Sequence, residues 1–181
     1  MRIIAGQWKG RRLQGPRSPL VRPTSDRLRE TLFNVMTTRI DGARVLDAYA
    51  GTGAMGLEAL SRGARHVTFV ERDRQVIRGL EDNIQACGAA EACAIIRDDF
   101  LAMAPRQPSV GPFDVVMADP PYEESDLDAV VEKAAGWLAP DGRLVLEHSR
   151  RRTTREQVTG ARRYRVLTAG DSALSFYAPD R

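Results

Sequence analysis

The sequence predicts one doubly wound α/β domain with a mostly parallel sheet and an antiparallel C-terminal hairpin. Three observations predict it. From residue 42 onward, short runs rich in β-branched residues alternate with helical stretches, the pattern of parallel βαβ units. A glycine-rich turn, Gly51-Thr52-Gly53-Ala54-Met55-Gly56, falls between the first strand and the next helix. The tail then changes pattern, because Tyr164–Leu167 and Leu174–Tyr177 flank Gly170-Asp171 as two strands flank a tight turn. A length of 181 residues suits one domain, with about 100–200 expected per domain. Within it, residues 1–41 read as a basic arm and helix, and residues 42–181 as the sheet domain.

Residues 1–23 form a Gly- and Pro-punctuated arm, with a short hairpin expected around Gly6 to Leu13. A helix begins near Thr24. Thr24 or Ser25 can cap it, and Asp26 suits the positive end of its dipole. Leu28, Leu32, Val35 and Met36 line one face at helical spacing. Val45–Asp47 is then a strand and Met55–Ser61 a helix; Val67–Glu71 is a strand and Arg74–Ala86 a helix. Ala94–Ile96 is a strand, followed by a helical turn over Phe100–Met103. Phe113–Ala118 is a strand, Leu127–Leu138 a helix and Leu144–Glu147 a strand. No repeat or low-complexity tract interrupts this order.

No apolar run approaches the ~20 residues a membrane span needs, and the N-terminus has no signal-peptide stretch. A cytoplasmic protein without membrane contact is expected. Cys87 and Cys93 could form a disulfide, but read rather as two buried or idle thiols in a reducing cytosol. His66 and His148 lie far apart with no clustered cysteine, so no metal site is expected. Nothing calls for an oligomer, and a monomer is expected.

The net charge of +3 conceals an uneven distribution. Between Met1 and Glu30 the cations are Arg2, Lys9, Arg11, Arg12, Arg17, Arg22, Arg27 and Arg29, opposed only by Asp26 and Glu30, for a local +6. A second cluster comprises Arg150, Arg151, Arg152, Arg155, Arg162, Arg163 and Arg165. Basic segments around a near-neutral core are the electrostatic footprint of a polyanion partner, although solvated charged faces look the same. Arginine also suits bidentate phosphate contact. Glu30 could pair with an arginine one turn away, and Trp8 reads as a packing anchor for the arm.

Asp119-Pro120-Pro121-Tyr122 follows the strand Phe113–Ala118 and carries the most chemistry. Open α/β sheets bind ligands where strands run out into loops. The tetrad offers a carboxylate, a stiff turn and a ring together. Asp-Pro-Pro is also an ordinary strand end, since each proline fixes φ and removes a donor, so its meaning depends on its neighbours. Gly51–Gly56 fits the dinucleotide pattern G-x-G-x-x-G, and Glu71 follows about 20 residues on, where an acid binds ribose hydroxyls. A nicotinamide cofactor is therefore one candidate. Two details favour S-adenosylmethionine. Asp47-Ala48-Tyr49-Ala50 separates the strand from Gly51, and a carboxylate there would repel a pyrophosphate but suit an ammonium and a sulfonium. Asp98-Asp99 follows the third strand, where a carboxylate can accept the adenine amino group. Each of Asp47 and Asp99 could also merely cap a helix. The candidate cofactor contacts are Asp47, Ala50, Gly51, Gly53, Glu71, Arg72, Asp98, Asp99, Phe100 and Asp119.

Val45–Gly53 resembles the first motif of the Rossmann-like class I methyltransferases, and Asp119–Tyr122 their amino-methylating motif. Arg2–Gly6, the run Arg22–Asn34, Gly56–Gly63 and Gly170–Leu174 resemble the bacterial 16S ribosomal RNA guanine-N2 methyltransferases of the RsmD family, over nearly the whole chain. The resemblance implies methyl transfer from S-adenosylmethionine to the exocyclic N2 of one guanine in 16S rRNA, within a small-subunit particle. It makes Asp119, Pro120 and Tyr122 the catalytic candidates; Glu147, which ends the strand beside that of Asp119, is expected to border the target pocket. Arg2, Lys9, Arg11, Arg12, Arg22, Thr24, Arg27 and Arg29 become the candidate RNA contacts. A DNA adenine-N6 or cytosine-N4 methyltransferase is the nearest alternative, because the tetrad occurs there too. A nicotinamide-dependent oxidoreductase and a non-catalytic RNA-binding module are alternatives of other classes.

Overall fold

The computed structural model describes residues 1–15, 26–104 and 110–180. The elements in chain order are α1 (Asp26–Val35), α2 (Thr37–Ile40), β1 (Arg44–Asp47), α3 (Ala54–Ser61), β2 (His66–Val70), α4 (Arg74–Cys87) and β3 (Cys93–Ile96). There follow β4 (Phe113–Ala118), α5 (Leu127–Ala135), β5 (Leu138–Ser149), β6 (Gln157–Val158), β7 (Ala161–Ala169) and β8 (Ser172–Pro179). One eight-stranded sheet has the order β3-β2-β1-β4-β5-β8-β7-β6. β3, β2, β1, β4 and β5 pair in parallel, and β8, β7 and β6 extend the sheet antiparallel. The order reverses between β1 and β4, so the ligand crevice opens at their carboxyl ends.

β1, β4 and the middle of β5 are near-continuous apolar runs because helices cover both faces of the parallel sheet. One apolar cluster joins Val45, Met117 and Val145 to α1, α3, α4 and the arm residues Ile3 and Leu13. The other joins Leu46, Val116 and Leu146 to α5 and Trp137. The expected C-terminal hairpin is present as β7 and β8, and the expected turn after β3 closes through Met103 N–H donating to Asp99 O.

Most boundaries differ from the sequence reading by a residue or two, β6 was not expected, β7 and β8 run longer than read, and the helices and strand below differ more. α5 stops at Ala135 rather than Leu138, and β5 begins at Leu138 with Asp141-Gly142 inside it. A register shift between Phe113 and Val115 sets Ala139, Pro140, Asp141 and Gly142 opposite Asp114 alone. The first helix divides at Met36 into α1 and α2, and its buried face is Leu28, Leu32, Phe33 and Met36, with Val35 only half-buried. The caps expected at Thr24 and Ser25 lie outside the described residues.

The arm is a hairpin laid on α3. Arg2 and Arg12 form an antiparallel bridge, and Ile3 N–H donates to Arg11 O. Its anchor is Glu58, fully buried on α3, whose carboxylate accepts from Ile4 N–H at 2.7 Å, Ala5 N–H at 3.0 Å and Arg62 Nε at 2.7 Å. Arg29 approaches the same carboxylate at 4.0 Å and bonds Asp26 at 3.0 Å. Trp8 packs against the first cluster while its backbone N–H donates to Ser61 Oγ, so it anchors the arm as the sequence suggested. Asn83, buried on α4, joins the arm to the glycine turn: its amide group bonds Gln14 N–H, Gln14 O and Thr52 O.

Candidate active site

The carboxyl ends of β1, β2, β3 and β4 surround a cleft of about 360 Å³. The glycine turn forms its floor. Asp47 ends β1, and Gly53 caps α3 at φ +78°, a left-handed conformation that glycine adopts without strain. Gly56 has a different reason: a Cβ there would stand 2.2 Å from the Phe69 ring, so its absence lets α3 press on β2.

Glu71 follows β2 directly. Its Oε2 accepts from Gly51 N–H at 3.0 Å and its Oε1 from Asp73 N–H at 2.9 Å, which fixes the carboxylate in the cleft wall. Asp99 caps the turn after β3 through Leu101 N–H at 3.0 Å and pairs with Arg72 at 3.1 Å. Phe100 is buried beneath, with the Tyr49 ring edge-on at 5.5 Å. The Tyr49 hydroxyl is buried without a hydrogen-bond partner among the described residues, and burial raises its pKa.

Ala50, Gly51, Glu71, Arg72, Asp98, Asp99, Phe100 and Asp119 all line the cleft. Asp47 and Gly53 do not. Asp47 is 2 % exposed behind the turn, where its Oδ2 accepts from Gly56 N–H at 2.9 Å. It has no face on the cleft and bears on it only through the turn it holds. Burial pushes its pKa up to about 7, against the opposing effect of the Gly56 bond. The cleft is also lined by Met1, Asp73, Val76 and Glu124, which the sequence did not single out. Their side chains carry no motif of their own, and only folding brings them together.

The cleft wall carries Glu71, Asp73, Asp98, Asp99, Asp119 and Glu124 against one arginine, Arg72. That excess of acid repels a pyrophosphate and favours a ligand bearing an ammonium and a sulfonium. The groups fit S-adenosylmethionine: a fixed carboxylate at Glu71 for a ribose diol, acids after β3 for an adenine amino group, and an orphaned Tyr49 hydroxyl in the wall.

Asp119 and Pro121 line this cleft and also a second, shallow recess of about 10 Å³. Pro120, Tyr122, Leu127, Glu147, His148, Ser149 and Arg152 complete the recess. Asp119 is half-buried and Pro120 buried, whereas Tyr122 is 55 % exposed, so its ring stands free at the mouth. Pro121 O accepts from Glu124 N–H at 2.9 Å, closing the turn. Arg152 donates to Glu124 O and, at 2.8 Å, to Ser125 O, tying the loop to the end of β5. His148 bonds Ser175 Oγ at 2.9 Å, and burial lowers its pKa, so the ring is neutral near pH 7.

The RNA candidates separate. Arg2, Lys9, Arg11, Arg12 and Arg27 are exposed on the arm and α1. Arg22 and Thr24 lie outside the described residues. Arg29 is the correction: it is 0 % exposed, its guanidinium turned inward to Asp26, Glu58 and the Arg2 carbonyl. It holds the arm to α3 and has no surface to offer a phosphate. Glu58 itself escaped the sequence reading, though it left a signal, being the one charged residue of an otherwise apolar α3.

Residues 1–178 match the family model described as Conserved hypothetical protein 95. The chain belongs to that family. The Ribosomal RNA small subunit methyltransferase D of Escherichia coli strain K12 is 40% identical over 149 residues, 81% of this chain and 74% of that protein. Its namesake from Haemophilus influenzae is 41% identical over 155 residues, 81% of this chain and 78% of that one. The solved structure of yhhF from Escherichia coli superposes with a TM-score of 0.85 at 33% identity, covering 100% of this chain and 98% of that one. The RsmD-family resemblance read from the sequence and the methyltransferase class of the sheet are both borne out.

Proposed function

We propose that this chain transfers a methyl group from S-adenosylmethionine to the exocyclic N2 of one guanine in 16S rRNA, presented in a small-subunit particle. The observation that carries the reading is the position of Asp119, which lines both the acid-walled cleft and the recess mouthed by Tyr122. In this reading that one carboxylate serves the cofactor in the cleft and the base at the recess. The names of the curated relatives support the substrate class, and the acid excess of the cleft supports this cofactor over a dinucleotide.

S-adenosylmethionine, when bound, supplies an electrophilic methyl group on a sulfonium. The rest falls to the protein. Guanine N2 is a weak nucleophile because its lone pair is delocalised into the ring. Asp119 and the Pro120 carbonyl accept from the two N2 protons and favour a more tetrahedral, more nucleophilic nitrogen. Two prolines and the Arg152 bonds hold that loop, so the acceptors are preorganised. Tyr122 stacks on the base, which leaves its own stack at a cost of a few kcal/mol. The N2 lone pair takes the methyl carbon as its bond to sulfur breaks, and Asp119 or water receives the surplus N2 proton. Alignment of the reacting atoms supplies much of the acceleration. The exposed arm cations contact phosphates and set the position of the RNA.

The test is methylation of small-subunit particles and of duplex DNA side by side, with parent and Asp119→Ala proteins. The reading expects label in RNA alone, lost in Asp119→Ala while S-adenosylhomocysteine still binds. Label confined to DNA would sink it.

A further inference from the structure

We infer that Glu147 is a specificity-determining residue that accepts from guanine N1–H beside the N2 group held by Asp119. This rests on the function proposed above. β4 and β5 are parallel, with Met117 opposite Val145 and Ala118 opposite Leu146. One step further along each strand, Asp119 and Glu147 are neighbours at the carboxyl edge of the sheet. Alternation along each strand puts both side chains on the face of Met117 and Val145, which also carries the basic arm. Both line the recess at whose mouth Tyr122 stands exposed. Glu147 is 8 % exposed, and the Glu147–Leu174 pair with β8 fixes its backbone on that side.

The Watson–Crick edge of guanine presents two adjacent donors, N1–H and N2–H₂. Two carboxylates side by side match that pair. Adenine presents an N1 lone pair and no 2-amino group, and cytosine presents lone pairs at N3 and O2. Against either, Glu147 would meet a lone pair with a carboxylate. A site built to bond a polar group rejects analogues lacking it far more strongly than an apolar pocket can, here because a lone pair set against a carboxylate is repelled where a donor would be held. Glu147 thereby excludes the bases that the same tetrad methylates elsewhere, and it does so without taking part in methyl transfer.

The experiment uses small-subunit particles reconstituted with rRNA carrying guanine or 2-aminoadenine at the methylated position. 2-Aminoadenine keeps the reacting 2-amino group but has a lone pair at N1. The parent protein is expected to prefer guanine by on the order of 10²-fold or more in kcat/KM. Glu147→Gln, which keeps the shape and can donate to N1, is expected to compress that preference to below about tenfold, mainly by losing rate on guanine. Equal use of both bases by the parent protein would overturn the inference without any variant. So would a Glu147→Gln protein that keeps the parent preference, whatever its overall activity. No methylation of guanine particles by the parent would instead overturn the function on which the inference rests.

Discussion

Replacing Glu58 by alanine should loosen the arm and cost stability of a calculable size. Glu58 is fully buried, and so is Arg29, which faces it. Three N–H groups, from Ile4, Ala5 and Arg62, converge on its carboxylate within 3.0 Å. Removing one side of a buried ion pair costs roughly 3–5 kcal/mol, since the other charge stays buried. A backbone N–H left unpaired costs about 1–3 kcal/mol more, but the arm can lift and admit water to Ile4 and Ala5. The net expectation is therefore about 3–5 kcal/mol, which for a domain of this size lowers Tm by roughly 6–20 °C. Arg29→Met alone should also destabilise, and the double variant should cost less than the two single changes added, because no fully buried charge remains. Thermal and urea unfolding of the four proteins measures this. A Glu58→Ala protein within about 1 kcal/mol of the parent, or a cycle that is simply additive, would refute the anchor.

Tyr122→Ala should lower kcat/KM on particles by about 10–100-fold, the worth of one base stack, while Tyr122→Phe stays near the parent; steady-state methylation separates them. Asp47 has its folded pKa raised to about 7 from 3.8, so the native state binds more protons than the unfolded chain between those values. Stability of the parent relative to Asp47→Asn should accordingly fall as pH rises from about 4 to about 7 and level off above, read from unfolding at a series of pH values. Arg12→Ala, at an exposed arm position, should weaken RNA binding and reduce the salt slope by about 1, whereas Arg29→Lys should act on stability and leave that slope unchanged.

The alternation of β-branched runs with helices made the sheet legible before any coordinates, because burial on both faces writes itself into composition. Gly51, Gly53 and Gly56 were legible for the same kind of reason, since a left-handed turn and a close helix–strand approach admit no side chain. The end of α5 was not: Trp137 and Leu138 continue the apolar pattern, and only pairing with β4 decides that Leu138 is strand. Arg29 was misplaced because its charge groups it with its neighbours in sequence. Its burial follows from Glu58, 29 residues away on another helix. Long-range pairs of this kind leave no local signature, and the same holds for Asn83 between arm and glycine turn, and for Arg152 against the tetrad loop.

The most direct test of the account is the identity of the nucleoside made. Small-subunit particles from cells lacking this enzyme, incubated with the protein and S-adenosylmethionine, should yield N2-methylguanosine at a single 16S rRNA position by mass mapping. N6-methyladenosine, N4-methylcytidine or an unmodified 16S rRNA would contradict it.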